Sequence, residues 1–132
     1  MDWRLKEGNG ITKWLEDNFG TKYDEITIAG GAKDLVSPNS SAYTIHLLDG
    51  VEISYSLHGV RKIILNNHTE CGAYLKTNTF ANAEEERKKL IDDLQTAAKL
   101  IIQKYPDIEV ILVLSTVSGV TTIGHEIIQQ EI

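Results

Sequence analysis

The stretch "VRKIILNNHTECGAY" (residues 60–74) decides how this chain is read. Its first half, through His68, is a run of apolar residues ending in polar ones, the pattern of a buried strand reaching the rim of a sheet. Its second half puts the only cysteine of the 132-residue chain three positions after a histidine. In open parallel sheets ligands gather at the carboxyl ends of the strands, so His68 and Cys71 stand where chemistry would be expected. Imidazole and thiolate are preferred zinc ligands, and an H-x-x-C turn can deliver both to one tetrahedral ion. Two ligands do not complete such a site. Spacing alone favours a small buried cysteine before the Gly72-Ala73 turn, with a polar histidine beside it.

Working outward, residues 83–104 form the clearest helix. Asn82 and Glu85 offer a variant capping box, and Leu90, Ile91, Leu94, Ala97, Ala98 and Ile101 make one apolar stripe. Tyr105-Pro106 ends it, because a residue before proline avoids the helical region. "IEVILVLSTV" (108–117), almost wholly apolar and β-branched, predicts a strand covered on both faces. Towards the amino end, "ITKWLEDNF" (11–19) has helical spacing and stops at Gly20, while "YDEITIAGGA" (23–32) predicts a short strand entering a Gly-Gly turn. "KDLVSPNSSAY" predicts a loop, and residues 45–58 a helix weakened by Gly50. The order helix, strand, helix, strand, helix, strand predicts one α/β domain, three-layer α-β-α with a mainly parallel central sheet. Gly30-Gly31, at a predicted strand end, should share a rim with His68.

Composition narrows the function classes. The apolar fraction is 42% and the charged fraction 24%, ordinary for a soluble globular chain. A net charge of −6 argues against nucleic-acid or anionic-membrane partners, and no apolar run approaches a membrane span. A lone cysteine excludes an internal disulfide framework, and the opening "MDWRLKEGNG" has no signal-peptide character, so a cytoplasmic location is expected. A cysteine-phosphatase loop would need an arginine six positions after Cys71, where Thr77 stands. "GHEII" (124–128) has Gln129 where a zincin helix needs histidine, "AGGAK" lacks dinucleotide-fingerprint spacing, and no Walker or G-x-S-x-G motif is present. His46, His58 and His125 have no ligand-spaced companion.

With its surroundings, "HTECGA" resembles the second zinc motif of the β-class carbonic anhydrases, in which a strand leads into H-x-x-C-G and a small residue. "YDEITIAGGAK" resembles that family's second strand, "LDGVEISYSLHGVRKIILNNH" its helix and third strand, and "YPDIEVILVLSTVSGVTTI" its closing strand and hairpin. The likeness covers most of residues 2–123. The family's first motif is C-x-D-x-R, and this chain opens "MDWR". Asp2 and Arg4 match the aspartate and arginine, and the ligand cysteine would precede Met1.

The resemblance implies a zinc protein that hydrates carbon dioxide to bicarbonate, with His68 and Cys71 as metal ligands. It implies that Asp2 accepts a hydrogen bond from solvent on the metal and that Arg4 fixes Asp2. It places Gly30, Gly31 and Gly72 at the substrate pocket and implies a homodimer or higher homo-oligomer. It also implies an amino-terminal truncation that removes the family's first strand and third ligand. Weak or absent zinc and little or no activity are therefore expected of this chain. If it folds, another chain fills the gap or the neighbouring strands pair directly. Asn66-Asn67, where many members have a small residue and glycine, and the lack of a long amino-terminal arm are departures. The alternative is a non-catalytic interaction or regulatory domain that keeps the fold without zinc.

Overall fold

The structure is a computed structural model and describes residues 1–130. It is an α/β fold built on a three-stranded mixed sheet. A 3-10 turn (Trp3–Leu5) leads to helices α1 (Ile11–Phe19), α2 (Lys33–Val36) and α3 (Ser41–Leu57). Strand β1 (Lys62–His68), the short α4 (Gly72–Leu75), the long α5 (Ala83–Lys104) and the hairpin β2 (Glu109–Ser118) and β3 (Thr121–Ile128) follow. The sheet order is β1-β2-β3; β1 and β2 are parallel, with Lys62 opposite Glu109 and His68 opposite Ser115, and β2 and β3 are antiparallel.

Helix α5 forms for the reasons its sequence contains. Asn82 Oδ1 accepts from the Glu85 N–H at 2.9 Å, and the Glu85 carboxylate accepts from the Ala81 N–H at 2.9 Å, so the first turn is capped from both directions. Its stripe of Leu94, Ala97, Ala98 and Ile101 is fully buried against Val110 and Leu112 of β2 and partly buried Ile63 and Leu65 of β1. Full burial of each large side chain contributes about 1.5–3 kcal/mol, which makes this layer the main core. The opposite face of the sheet carries a smaller cluster, in which Leu5 and Ile11 cover Val113 and Val117 with help from Trp14, Leu15 and Ile64.

Two expectations need correction. Helix α3 begins at Ser41, four residues before the predicted start, because Ser40 is its cap and accepts from the Ala42 N–H at 3.3 Å. The serine cluster is a helix signal rather than only a loop signal, and α2 interrupts the same predicted loop. The second correction has larger consequences. Residues 22–28 run without regular secondary structure and are not a strand of this sheet, so neither a mainly parallel sheet nor direct pairing of this segment with β1 is present. A strand needs a partner for its backbone N–H and C=O groups, and a cavity separates this segment from the nearest sheet edge, that of β1. The segment is held instead by side chains: Asp24 accepts from the Ser54 hydroxyl at 2.7 Å and contacts His58 Nδ1 at 2.5 Å, both on the far end of α3.

Candidate functional site

The carboxyl end of β1 is the centre of the site. His68 is the last strand residue, Thr69 and Glu70 make the turn, and Cys71 is the N-cap residue of α4. The turn is tight enough to hold Glu70 at a φ of 56°, a left-handed conformation that few side chains adopt. It is tied to the neighbouring strand three times: the Thr69 N–H donates to the Ser115 carbonyl at 3.0 Å, and the Thr69 hydroxyl donates to the Val117 carbonyl at 2.9 Å and accepts from the Val117 N–H at 2.8 Å. A rigid turn places both candidate ligands.

His68 Nδ1 lies 2.7 Å from the Thr69 carbonyl. A carbonyl only accepts, so Nδ1 carries the hydrogen and Nε2 keeps its lone pair. Burial works against the charged imidazole; the Cys71 sulfur, the Thr69 carbonyl and the Asp2 carboxylate outweigh it, and the His68 pKa is raised. Cys71 is 4% exposed. Burial pushes its thiol up, but His68 and the Tyr74 and Ala73 N–H groups at the start of α4 draw it below the usual thiol value.

Asp2 approaches the same end of the sheet from the amino terminus. Arg4 grips both its oxygens: Nε donates to Oδ1 at 3.1 Å and Nη2 to Oδ2 at 2.7 Å, with the Arg4 N–H adding a bond to Oδ1 at 3.0 Å. The Arg4 guanidinium holds the Asp2 carboxyl down at about 2, against an opposing effect of burial. Arg4 is itself anchored to the Gly119 carbonyl in the β2–β3 turn and to Glu70, and its own carbonyl accepts from the Thr122 hydroxyl at 2.6 Å.

Asp2, Gly30, Gly31, His68, Cys71 and Gly72 all line one cavity of about 750 Å³. Six of the seven residues singled out from the sequence therefore converge, and Arg4 stands behind them as the holder of Asp2. Sequence reasoning missed the polar residues that fix the Gly-Gly turn. Asn67, 1% exposed, accepts from the Ala32 N–H at 2.9 Å and donates to the Leu90 carbonyl at 3.2 Å and the Tyr74 hydroxyl at 3.3 Å. Tyr74 in turn donates to Asp93 at 2.7 Å, which pairs with Lys89 at 3.1 Å. The signal was present as two asparagines inside an apolar strand, since buried amides persist only when bonded. Ser115 and His125 also contact one another at 2.6 Å, but Ser115 is completely buried and its hydroxyl also accepts from the Asn66 amide at 2.9 Å, away from any substrate-accessible position.

The residues at the site do not make up a zinc donor set. Among the described residues no group of three or more His, Cys, Asp or Glu could hold a metal ion. His68 and Cys71 supply two ligands, both oxygens of Asp2 are bonded to Arg4, and Glu70 pairs with Arg4 as well. Zinc sites use at least three protein ligands, so the residues present do not make one.

Comparison with known proteins bears on what the site derives from. A family model described as "Putative carbonic anhydrase" matches residues 1–121. An uncharacterized protein of Rickettsia bellii (strain RML369-C) is 31% identical over 109 residues, which are 80% of this chain and 64% of that protein. An uncharacterized protein of Rickettsia conorii (strain ATCC VR-613 / Malish 7) is 28% identical over 116 residues, 86% of this chain and 60% of that protein. The chain thus spans less than two thirds of the length of these relatives. No solved structure matches it.

Proposed function

Since the chain belongs to the family described as "Putative carbonic anhydrase", we propose that it carries most of a β-carbonic-anhydrase-type zinc site but lacks the third protein ligand. The observation that supports this reading is the convergence of Asp2, His68 and Cys71 on one cavity, with Arg4 gripping Asp2. These are the residues that the two family motifs would contribute, and they lie more than sixty residues apart in the sequence. In the intact family site the metal would be zinc and the substrate carbon dioxide or bicarbonate. Here Asp2 is an ionised acceptor with a fixed orientation, and His68 and Cys71 are a two-donor remnant. One further donor is needed before either can act in metal chemistry. As it stands the chain has weak or no zinc binding and negligible hydration activity. The same reading takes the chain as one domain of a three-layer α-β-α fold, with homodimerisation expected.

The test is metal content. Zinc per chain measured by plasma mass spectrometry after purification should be far below one equivalent. One equivalent, lost in Cys71→Ser, would show that the site is complete after all. The second reading is a non-catalytic interaction or regulatory domain, favoured by the absence of a three-ligand group among the described residues. A stopped-flow carbon dioxide hydration assay on a form extended upstream of Met1 separates the two. Activity with bound zinc supports the first reading, and an extended form without either supports the second.

A further inference from the structure

A second cavity, of about 300 Å³, is shared by α2, the end of α4 and α5, and no residue lines both it and the cavity of His68 and Cys71. Three of its lining residues are buried: Lys33 is 4% exposed, Tyr74 1% and Asp93 3%. The others are polar and reach solvent, with Ser37 and Thr77 exposed and Asn78 and Lys89 half-buried. A buried charged floor under an open polar rim is the form of a small-molecule site, and the volume stands at the small end of such sites.

The charges in it do not balance. Asp93 is committed on both oxygens: Oδ2 accepts from the Tyr74 hydroxyl at 2.7 Å and Oδ1 from Lys89 Nζ at 3.1 Å. Lys33 has no such counterpart. Its Nζ donates to the Ser37 carbonyl at 2.9 Å, a neutral acceptor, and it makes no ion pair among the described residues. An ammonium carries three N–H donors, and only that one bond engages it here. A charge taken out of solvent is costly unless an opposite charge meets it. Water would satisfy the remaining N–H groups but would leave the charge unanswered.

The lysine is also held ready. Its backbone N–H donates to the Gly30 carbonyl at 3.0 Å. A Cβ built on Gly30 would lie 3.0 Å from Lys33 Cβ and 3.4 Å from Cδ, so the stem runs against the Gly-Gly turn. A side chain fixed along its stem loses little further freedom when a ligand arrives. At the rim, Asn78 Nδ2 donates to the Tyr74 carbonyl at 3.0 Å and to Thr77 Oγ1 at 3.1 Å. The Thr77 hydroxyl, accepting there, keeps its hydrogen to donate.

Two cations against one carboxylate leave a surplus of one positive charge. A singly negative ligand neutralises it, whereas a doubly negative one would set its second charge near Asp93, where like charges repel. We propose that this cavity binds a small monocarboxylate, whose oxygens accept from the Lys33 ammonium and the Thr77 hydroxyl. The site is separate from the His68–Cys71 cavity and does not depend on the zinc reading.

The experiment is an NMR titration of the chain with sodium acetate at constant ionic strength, with sodium chloride alone as the control. The Lys33 ammonium signal and the amides of Ser37, Thr77 and Asn78 should shift and saturate, with half-saturation at about 1–10 mM, within reach of so small a ligand. Lys33→Met keeps the stem and removes the charge, and should weaken binding at least tenfold; Thr77→Val should weaken it about threefold to tenfold. Shifts that never saturate, or that chloride alone reproduces, overturn the proposal whether or not Lys33→Met folds. A folded Lys33→Met chain that binds acetate as before overturns it as well. Saturating shifts centred on His68 and Gly72 would put the carboxylate in the larger cavity and refute the assignment to Lys33. Inorganic phosphate at about pH 8, mostly doubly charged, should bind no more tightly than acetate. Tighter binding of phosphate would overturn the choice of a singly charged ligand.

Discussion

Substituting Gly31→Ala tests the coupling between the Gly-Gly turn and β1. Gly31 has a φ of 58°, and a Cβ built on it would lie 2.2 Å from the Asn66 carbonyl oxygen and 2.7 Å from Asn67 Oδ1. Neither oxygen can retreat freely. Asn66 lies within the β1 ladder, and Asn67 Oδ1 accepts from the Ala32 N–H. Gly59 supplies the control, with a φ of 68° and nothing within 4 Å of the place an added methyl group would take. An alanine in the left-handed region costs about 1–2 kcal/mol wherever it sits. At Gly31 the overpacking adds about 1–3 kcal/mol, and a broken Ala32–Asn67 bond about 1–3 more. Gly31→Ala should therefore destabilise by about 3–8 kcal/mol and Gly59→Ala by about 1–2 kcal/mol. Urea unfolding followed by tryptophan fluorescence measures both, with a common slope checking that the same transition is compared. Equal destabilisation of the two variants would refute the close approach of the turn to β1.

Two further predictions concern the amino-terminal residues. The Asp2 carboxyl is held at about 2 in the folded chain, below its ordinary 3.8. Its stabilisation is thus present above about pH 4 and disappears as pH falls through 2, amounting to no more than about 2 kcal/mol. Asp2→Asn should lower stability at pH 5 and make little difference at pH 2, measured as paired urea midpoints. Equal loss at both values would mean that the ion pair with Arg4 is not the source. Thr122 is 5% exposed and its hydroxyl donates to the Arg4 carbonyl at 2.6 Å. Thr122→Val should loosen the amino-terminal turn by about 0.5–1.5 kcal/mol, seen as faster exchange of the Leu5 amide, which donates to the Asp2 carbonyl. Unchanged Leu5 exchange would sever this link.

Local signals carried the elements whose stability is local. The apolar stripe and cap of α5 specify a helix without help from the rest of the chain, and it spans Ala83–Lys104 as the sequence predicts. Strand β2 was legible because a run of β-branched residues covered on both faces has few alternatives. Residues 22–28 have strand-like sequence and yet form no strand, because pairing is a property of two segments and the facing edge of β1 lies across the cavity. β-propensity describes fitness for a pleated surface, not the existence of that surface. The candidate site divides in the same way. His68 and Cys71 are legible from a three-residue spacing, whereas the Asn67–Tyr74–Asp93 network joins three elements and has no periodic signature.

The placement of Asp2 shows why the site depends on the far end of the chain. An ion pair between residues two apart in sequence fixes their local turn but does not by itself place a terminus over the sheet. Asp2 and Arg4 are instead clamped from outside, by the Gly119 carbonyl and the Thr122 hydroxyl of the β2–β3 hairpin and by Glu70 in the β1 turn. Leu5, 3% exposed, adds an apolar anchor against Val113 and Val117 of β2. The hairpin thus orients the first residues over the carboxyl end of β1, independently of any metal. An arrangement maintained in this way needs no bound metal, because the forces that assemble Asp2, Arg4, His68 and Cys71 are packing and hydrogen bonds and not coordination. Metal content is therefore the property that decides the chemistry of this chain.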